Sequence, residues 1–341
     1  MQNPINVLGI ETSCDETSVS IVKNGTEILL NIVASQEKIH SKYFGVVPEL
    51  ASRAHTEKIN HILKKCFVIS PDKIDAIAYT AGPGLLGSLI VGKLVAQTIS
   101  YVYNKPLIPV NHIEGHIFSI FLENKKLKPP FLSLVVSGGH TELIIFEDFG
   151  KYNVLGKTRD DACGEAFDKI AKLLKIGYPG GPKIDKLSKK GNPEKIKFPR
   201  PYLWNSWDFS FSGLKTSVLY YLQDKKNKNT KIQDICASFQ QAVIDTLVNK
   251  TIVCAKKFNL KNICIVGGVA ANSGLRKEFF NKCKKEKINV FFPSIKLCTD
   301  NAAMIASVGY FIFKKTNKDN LENNQTNKKY GLNPNMEIKN W

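Results

Sequence analysis

One pattern of strands occurs twice in this chain, and this repetition constrains the fold more than any other feature. Residues 7–22 (VLGIETSCDETSVSIV) and 132–146 (LSLVVSGGHTELIIF) each consist of an apolar strand, a short turn of small polar residues and a second apolar strand. Asn24-Gly25 after the first copy and Gly150 after the second mark another turn, and a third strand follows each. Each half therefore predicts three consecutive antiparallel strands.

Later in each half, a strand, a glycine-rich break and a helix follow one another, at residues 74–96 and 262–280. This order predicts an α/β protein of two duplicated lobes around a central cleft, where a ligand would bind. We expect residues 1–130 to form the first lobe, with a helix at 300–315 returning to it. The second lobe would span 131–299, and 316–341 would be a polar tail, mobile over 316–325.

Composition narrows the class of protein. The chain has 341 residues, of which 43% are hydrophobic, and this excludes a disordered protein. The N-terminus lacks a signal-peptide pattern, and Lys93 interrupts the most apolar window, 85–103. The eight cysteines never form CxxC, which indicates a reducing compartment. We therefore expect a cytoplasmic protein without a membrane span.

The charge balance is strongly basic. Forty-eight Lys and Arg residues against 30 Asp and Glu give a net charge of +18. The positive electrostatic field of such a protein favours the binding of polyanions, above all nucleic acid. A general Lys and Asn enrichment along the chain, as AT-rich codons produce, is an equally good explanation, so both readings stay open.

The stretch NHIEGH contains two histidines four residues apart. In a helix His112 and His116 would share one face and could bind one cation, although an exposed helix face is the simpler alternative. Asp300 directly precedes an apolar helical run, where it would be either an N-cap or a third ligand. Two imidazoles and one carboxylate suit Fe(II), with Zn²⁺ as the competitor.

Two hairpin turns offer groups that bind phosphate. In VSGGH, Ser137, Gly138 and Gly139 supply a hydroxyl and unobstructed backbone N–H groups, unless the turn is only a tight hairpin. The turn GIETS (9–13) has hydroxyls and a carboxylate at the matching place, so we expect two phosphate-binding hairpins facing each other. Two small-residue segments, 178–185 and 267–275, together with Asp168, suit the ribose and purine of a nucleoside.

Two other glycine-rich stretches resemble nucleotide-binding motifs, but each lacks a residue that its motif requires. GPGLLG (82–87) matches the dinucleotide pattern GxGxxG, but no acidic residue follows at the distance that a ribose contact needs. GSLIVGKL (87–94) approaches a phosphate-binding loop, but Leu94 stands where a Mg²⁺-ligating hydroxyl is required. We expect a buried helix there.

Ten motifs, taken in order from about Asn6 to Lys314, resemble the bacterial TsaD family of tRNA N6-adenosine threonylcarbamoyltransferases. They are GIETSCDET, VVPELASRAH, AYTAGPGLLGSL, NHIEGH, VSGGHTEL, GEAFDK, YPGGP, DFSFSGLKT, GGVAAN and CTDNAAMIA.

The resemblance implies an actin-like, Hsp70-type ATPase fold. It also implies transfer of the threonylcarbamoyl group from threonylcarbamoyl-AMP to N6 of adenine 37 in tRNAs that read codons beginning with A (ANN codons). TsaB and TsaE are the implied protein partners, and the donor would come from a synthase of the TsaC or Sua type.

The resemblance carries over to individual residues. It implies that His112, His116 and Asp300 bind a metal ion, usually iron. The positions that would hold the nucleotide part of the donor are Val135, Val136, Ser137, Gly138, Gly139, Asp168, Gly181, Asp185 and Asn272. The family usually ends in a basic segment with a tryptophan, similar to RPRWPL, whereas this chain ends KKYGLNPNMEIKNW, with Trp341 displaced.

The chemistry would be acyl transfer to a weak nucleophile, the adenine amine, and Glu11 or His140 is a candidate for moving the proton. Two other functions remain as alternatives. A zinc protease would need HExxH, and here Ile113 occupies the position of the glutamate. An ATP-binding switch of the same fold would need no metal site.

Overall fold

The computed structural model describes residues 4–316 and 331–341. The chain forms two compact units. Unit 1 contains Met1–Leu127, Phe149–Lys151 and Thr299–Trp341, and unit 2 contains Lys128–Asp148 and Tyr152–Cys298. The lobe boundaries and the central cleft expected from the sequence stay predictions, and the segment expected to be mobile, apart from Thr316, lies outside the described residues.

The sheet of unit 1 has five strands in the order β3-β2-β1-β4-β5. Strand β1 pairs antiparallel with β2 and parallel with β4, and β2 pairs antiparallel with β3. The strands are β1 (Asn6–Glu11), β2 (Glu16–Lys23), β3 (Glu27–Ser35), β4 (Ala76–Gly82) and β5 (Leu107–Asn111).

Among the described residues, unit 1 contains five α-helices: α1 (Glu37–His40), α2 (Pro48–Cys66), α3 (Leu86–Tyr103), α4 (His112–Phe118) and, after the other unit, the helix that we number α11 (Ala302–Lys315). Helix α2 begins at a proline, which fits the first helical turn, and α3 ends at Asn104 in the left-handed conformation. Helix α11 packs against β1, β2 and β4.

The sheet of unit 2 repeats this arrangement, with the strand order β10-β9-β6-β7-β8. Strand β6 pairs antiparallel with β7 and parallel with β9, as β1 pairs with β2 and β4. The strands are β6 (Phe131–Val136), β7 (Thr141–Asp148), β8 (Lys151–Lys157), β9 (Asn262–Val266) and β10 (Asn289–Phe291). The duplication predicted from the sequence is therefore confirmed at the level of the sheets.

Unit 2 also contains the six remaining helices of the described chain: α5 (Cys163–Leu173), α6 (Gly180–Ser188), α7 (Ser212–Gln223), α8 (Ile232–Lys257), α9 (Ser273–Glu286) and α10 (Ile295–Cys298). Helix α8 is largely buried and contributes Phe239, Val243 and Leu247 to the core, which also contains apolar residues of β6 and β9.

Helix α3 differs from the buried helix expected at this place. One face packs on α2 and β4, but Leu86, Ile90 and Leu94 are 52%, 49% and 62% exposed. The glycine-rich start and high apolar content suggested burial on all sides, whereas the sheet covers only one side. By length and composition alone α3 could cross a membrane, a criterion that core helices of soluble proteins also meet.

Candidate functional site

The two histidines of NHIEGH lie on α4, directly after the end of β5. Asn111 caps this helix, because its side-chain oxygen accepts hydrogen bonds from the backbone N–H groups of Ile113 (2.8 Å) and Glu114 (3.2 Å). A strand that ends in a capped helix fixes both His112 and His116 relative to the sheet of unit 1. His112 and His116 therefore do lie on one helix, the condition under which they could bind one cation, and Asn111 is a sequence signal for the start of that helix.

His112, His116 and Asp300 each direct one ligand atom to the same place. The Nε2 atoms of His112 and His116 lie 3.5 Å and 3.2 Å from Oδ1 of Asp300. The three ligand atoms lie within 4.8 Å of one another, and the two imidazole centroids are 4.7 Å apart. Ligands bound about 2.1 Å from one ion lie roughly 3–4 Å from one another, so this spacing suits a shared cation.

The surroundings of His116 also fit a bound metal ion. His116 is fully buried, and within the described part of the chain neither of its ring nitrogens has a hydrogen-bond partner. Its Nε2 lies close to Asp300 Oδ1 without the alignment of a hydrogen bond. Since a buried polar atom without a partner is costly, a metal ion is the simplest group that would satisfy this nitrogen.

Glu11 orients His112 from the side opposite Asp300. Its Oε2 lies 3.0 Å from His112 Nδ1 and also accepts a hydrogen bond of 2.6 Å from the Thr80 hydroxyl, while Oε1 accepts the Ser13 N–H at 2.5 Å. Carboxylates commonly bind the second nitrogen of a metal-ligating histidine in this way. The geometry suits an orienting role for Glu11, and the proton transfer suggested from the sequence stays a prediction.

Both groups of this pair have shifted pKa values. Burial lowers the pKa of His112, but the carboxylates of Asp300 and Glu11 outweigh burial and raise it to about 9. For Glu11, burial acts to raise the pKa, yet the charge and hydrogen bond of His112 leave it below the ordinary value. In the metal-free protein the pair is therefore an ion pair at neutral pH.

Asp300 does not cap helix α11, which was the simpler of its two predicted roles. The neighbouring Asn301 occupies the cap position, and its side chain accepts a hydrogen bond of 3.3 Å from Met304 N. The Asp300 carboxylate is thereby left to face His112 and His116. Because aspartate and asparagine both cap helices well, the sequence alone did not distinguish the two residues.

The side chains of the first hairpin turn form hydrogen bonds to neighbouring parts of unit 1. Thr12 and Ser13 are buried, and the Thr12 hydroxyl donates to the carbonyl of Ser88 at 2.8 Å. The Ser13 hydroxyl lies 3.2 Å from His112 Nδ1. These hydroxyls therefore hold α3 and the metal-site histidine, and phosphate binding by this turn stays a prediction.

The C-terminal segment 331–341 returns to α4 and the neighbouring strand ends. Asn333 N donates to Ala81 O at 3.0 Å, and the Asn111 side chain donates to Met336 O at 3.3 Å. The indole N–H of Trp341 donates to Oε1 of Glu114, which lies between the two histidines in the chain. No local sequence pattern predicted this contact.

In unit 2 the second hairpin turn joins β6 and β7 and lies against the start of α5. Ser137 O accepts a hydrogen bond of 3.1 Å from Gly164 N, and a Cβ added to Gly164 would lie 2.5 Å from the same oxygen. Gly267 has φ of +93° and approaches Val136 O as closely. Glycine is thus required at both positions where backbone segments meet around the turn.

The remaining residues predicted to hold the nucleotide are linked to this turn through α5 and α6. Asp168 Oδ1 accepts the Gly180 N–H at 2.7 Å at the start of α6. Asp185, near the end of α6, accepts hydrogen bonds of 2.9 Å from the Ser273 hydroxyl at the start of α9. Asn272 caps α9 by accepting the Leu275 N–H at 2.9 Å.

Three predicted glycines have open space beside them. A Cβ built on Gly138, Gly139 or Gly181 would meet no atom within 4 Å among the described residues. Backbone N–H groups at such positions are accessible to a phosphate or ribose. Val135 and Val136 differ, because their side chains are fully buried in β6 and only their backbone could contact a ligand.

His140 closes the same turn through its backbone. Its N–H donates to the Ser137 hydroxyl at 3.1 Å, and its carbonyl accepts the Ser137 N–H at 2.9 Å. His140 belongs to unit 2, whereas the three metal-ligand candidates belong to unit 1. A role for its imidazole in moving a proton stays a prediction.

Solved structures confirm the fold class. HypF of T. kodakarensis superposes with a TM-score of 0.65 at 15% sequence identity, covering 92% of this chain and 48% of that chain, so this protein spans about half of HypF. The activator of 2-hydroxyisocaproyl-CoA dehydratase from Clostridium difficile gives a TM-score of 0.54 at 15% identity, covering 94% and 97% of the two chains. The protein has the actin-like ATPase fold.

Two curated relatives are much more similar in sequence. A tRNA N6-adenosine threonylcarbamoyltransferase of Endomicrobium trichonymphae is 53% identical over 347 aligned residues, which cover 99% of both chains. The protein of the same name from Caldicellulosiruptor saccharolyticus is 55% identical and covers 89% of this chain and 92% of its own. The family model described as "TsaD: tRNA N6-adenosine threonylcarbamoyltransferase" matches residues 27–307. The chain therefore belongs to the TsaD family of tRNA N6-adenosine threonylcarbamoyltransferases and is a transferase.

Proposed function

We propose that this transferase moves the threonylcarbamoyl group from threonylcarbamoyl-AMP to N6 of adenine 37 in tRNAs that read ANN codons. The observation that carries the proposal is the convergence of His112, His116 and Asp300 on one point, with His116 buried and its ring nitrogens without a hydrogen-bond partner among the described residues. Family membership supplies the reaction class, and the site chemistry supports the choice of an acyl donor with polarisable oxygens.

The bound cation in this proposal is Fe²⁺, with Zn²⁺ as the competitor, because two imidazoles and a carboxylate suit both ions. When bound, such an ion would polarise the carbamoyl carbonyl of the donor. The protein's own contribution at this site is orientation: Glu11 and Asp300 fix the ring of His112 from opposite sides. The low exposure of both histidines also limits access of water to the ligands.

The nucleotide part of the donor is proposed to bind in unit 2. The open backbone at Gly138, Gly139 and Gly181 would take the phosphate and ribose, and the Ser137 hydroxyl would add a donor. Asp168, Asp185 and Asn272 would act mainly by holding α5, α6 and α9 in place, since their side chains already make hydrogen bonds within the unit. Fixed N–H donors would stabilise the departing phosphate of AMP.

The proposed protein partners are TsaB and TsaE, with the donor supplied by a synthase of the TsaC or Sua type. The exposed aliphatic stripe of α3, formed by Leu86, Ile90 and Leu94, is the kind of surface that a protein partner covers, and we propose it for TsaB. Leu94→Glu should then weaken co-elution with purified TsaB, while Glu57→Gln on the exposed side of α2 should not. The proposed location is the cytoplasm, in line with eight free cysteines.

Reconstitution tests the proposed reaction. Purified protein, synthetic threonylcarbamoyl-AMP and unmodified tRNA are combined, with the partner proteins added, and the nucleosides are analysed by mass spectrometry. We expect the modified adenosine with wild type and His61→Ala, an exposed histidine on α2, and none with His116→Ala. Equal product from His116→Ala would overturn the metal-site proposal, and no product with any ANN-reading tRNA would overturn the proposed substrate.

A further inference from the structure

A segment of unit 2 between α6 and α7 exposes three positive charges within six residues. Lys195, Lys197 and Arg200 are exposed, while Ile196 and Phe198 between them are 7% and 3% exposed and belong to the core. The alternation anchors the segment through its apolar residues and turns the cations toward solvent. Residues 195–204, which we call the basic-aromatic segment, also include two exposed aromatic residues.

These aromatic residues are Tyr202 and Trp204. Their side chains are 40% and 82% exposed, and the ring centroids lie 5.0 Å apart at an interplanar angle of 64°. A single exposed apolar residue is ordinary on a protein surface. Two adjoining exposed aromatic rings beside several exposed cations are instead typical of a surface that binds a ligand.

A buried lysine holds the loop that presents the two rings. Lys250 of α8 is 1% exposed, and its ammonium donates to the carbonyls of Ser206 (3.1 Å) and Asp208 (2.5 Å). The same ammonium lies 4.8 Å from the centroid of the Tyr202 ring. Burying a charge is costly unless it is well bonded, so this interior cation indicates a loop whose conformation is fixed.

The chemistry of the surface favours a polyanion that also carries flat rings. Exposed aromatic faces stack on unpaired bases, and neighbouring lysines contact the phosphates that join them. Acidic groups also lie nearby: Glu194 is exposed next to Lys195, Asp245 pairs with Arg200 at 3.1 Å, and Asp234 accepts the N–H of Asn192 at 2.7 Å. Because Arg200 is paired with Asp245, Lys195 and Lys197 are the segment's other exposed cations.

We propose that the basic-aromatic segment binds unpaired nucleotides of the RNA substrate, with Tyr202 and Trp204 stacking on bases and Lys195 and Lys197 contacting phosphates. The inference rests on the proposed function in that the RNA is a tRNA, whose anticodon loop is single-stranded. A docking site for a protein is the competing use of exposed Trp, Tyr and Arg, and the experiment separates the two.

Binding of a fluorescein-labelled, unmodified anticodon stem-loop RNA is measured by fluorescence polarisation at several salt concentrations. Trp204→Ala should weaken binding by roughly 5- to 100-fold, the range for losing one stacked base, and Trp204→Phe should restore most of it. The double variant Lys195→Ala/Lys197→Ala should reduce the slope of log Kd against log salt by about 0.7 for each lost phosphate contact.

Matched controls lie elsewhere in unit 2. Tyr220 on α7 is 66% exposed, and Lys225 and Lys226 are exposed lysines, so Tyr220→Ala and Lys225→Ala/Lys226→Ala should leave RNA binding unchanged. The inference is overturned if Trp204→Ala binds the stem-loop as tightly as wild type does, or if Tyr220→Ala weakens RNA binding as much as Trp204→Ala does. Unchanged RNA binding by Trp204→Ala together with loss of a protein partner would identify the surface as a protein-docking site instead. The reconstitution measures threonylcarbamoyl transfer by the wild-type protein separately. Unchanged RNA binding by Trp204→Ala would therefore overturn this inference without overturning the proposed function.

Discussion

The indole N–H of Trp341 donates a hydrogen bond of 2.5 Å to Oε1 of Glu114, a residue that lies between the two histidines of α4. The ring itself packs against Gly150, and the ammonium of Lys315 lies 5.0 Å from its centroid. The end of the chain is thus bonded to the helix that carries two of the three metal-ligand candidates. Asn333 and Met336, in the same C-terminal segment, form further hydrogen bonds with the ends of β4 and β5.

We predict that Trp341→Phe destabilises the protein by about 1–3 kcal/mol, because Glu114 is buried and loses one hydrogen-bond donor. Fe²⁺ affinity should fall as well, since α4 loses a contact next to both histidines. Urea unfolding and metal titration measure the two effects. Trp204→Phe, at an exposed tryptophan, is the control and should change neither; unchanged metal affinity in Trp341→Phe would show that the tail does not position α4.

Glu11→Gln should weaken metal binding by roughly 10- to 100-fold, the usual effect of losing the carboxylate behind a ligating histidine. The amide keeps the size of the side chain and one acceptor oxygen, so the hydrogen bond from Ser13 N–H can persist, while the negative charge that faces His112 Nδ1 is lost. Calorimetric titration with Zn²⁺ as the probe measures the change. Glu57→Gln on the exposed face of α2 should leave the affinity as it is, and an equal affinity in Glu11→Gln would exclude the orienting role.

Metal binding should release a proton near neutral pH. The pKa of His112 in the metal-free protein is about 9, because the charges of Asp300 and Glu11 outweigh the opposite effect of burial. A metal ion binds only the neutral imidazole, so affinity should rise about tenfold per pH unit until pH approaches 9. Calorimetry in buffers of different ionisation enthalpy counts the protons. Zero protons released at pH 7 would contradict the raised pKa.

The same shift predicts how the stability of the metal-free protein depends on pH. A histidine whose pKa rises on folding stabilises the folded state fully below its unfolded pKa, and this contribution is lost as pH rises through the folded value. For His112 the free energy of unfolding should therefore decline between about pH 6.5 and about pH 9. The decline should be smaller in Glu11→Gln, measured by urea unfolding in the presence of a chelator.

Two glycines of unit 2 should respond in opposite ways to valine. Gly139→Val has open space for its side chain, so the melting temperature should stay unchanged while AMP binding weakens by about tenfold or more. Gly267→Val should cost about 2 kcal/mol or more of stability, because φ is +93° and a Cβ would lie 2.5 Å from Val136 O. Normal AMP binding by Gly139→Val would remove this turn from the nucleotide site.

The sequence predicted those features that local patterns encode. Alternating strands and turn residues predicted the duplication, which is confirmed by the matching strand orders of the two sheets. The four-residue spacing of His112 and His116 predicted a shared helix, and both lie on α4. The role of Asp300 was ambiguous, because only the structure places the cap at Asn301.

Features that depend on tertiary contacts were not predictable. The apolar composition of α3 suggested complete burial, and nothing local indicated that the sheet would cover only one face. The burial of Thr12 and Ser13 against α3 and His112 likewise had no local sequence signal, since hydroxyls after a strand can also lie exposed in a turn. The contact between Trp341 and Glu114 joins residues far apart in the chain, for which one sequence contains no signal.

The ligand candidates come from distant parts of the sequence, with two on α4 and one just before α11. An ion that binds all three would act as a removable crosslink, favouring the native chain over the unfolded chain by mass action. Depletion of that ion would then do more than abolish transfer: it would lower the population of folded molecules and increase the exposure of the chain to proteases. Abundance of the protein in a cell would thus follow the supply of its ion.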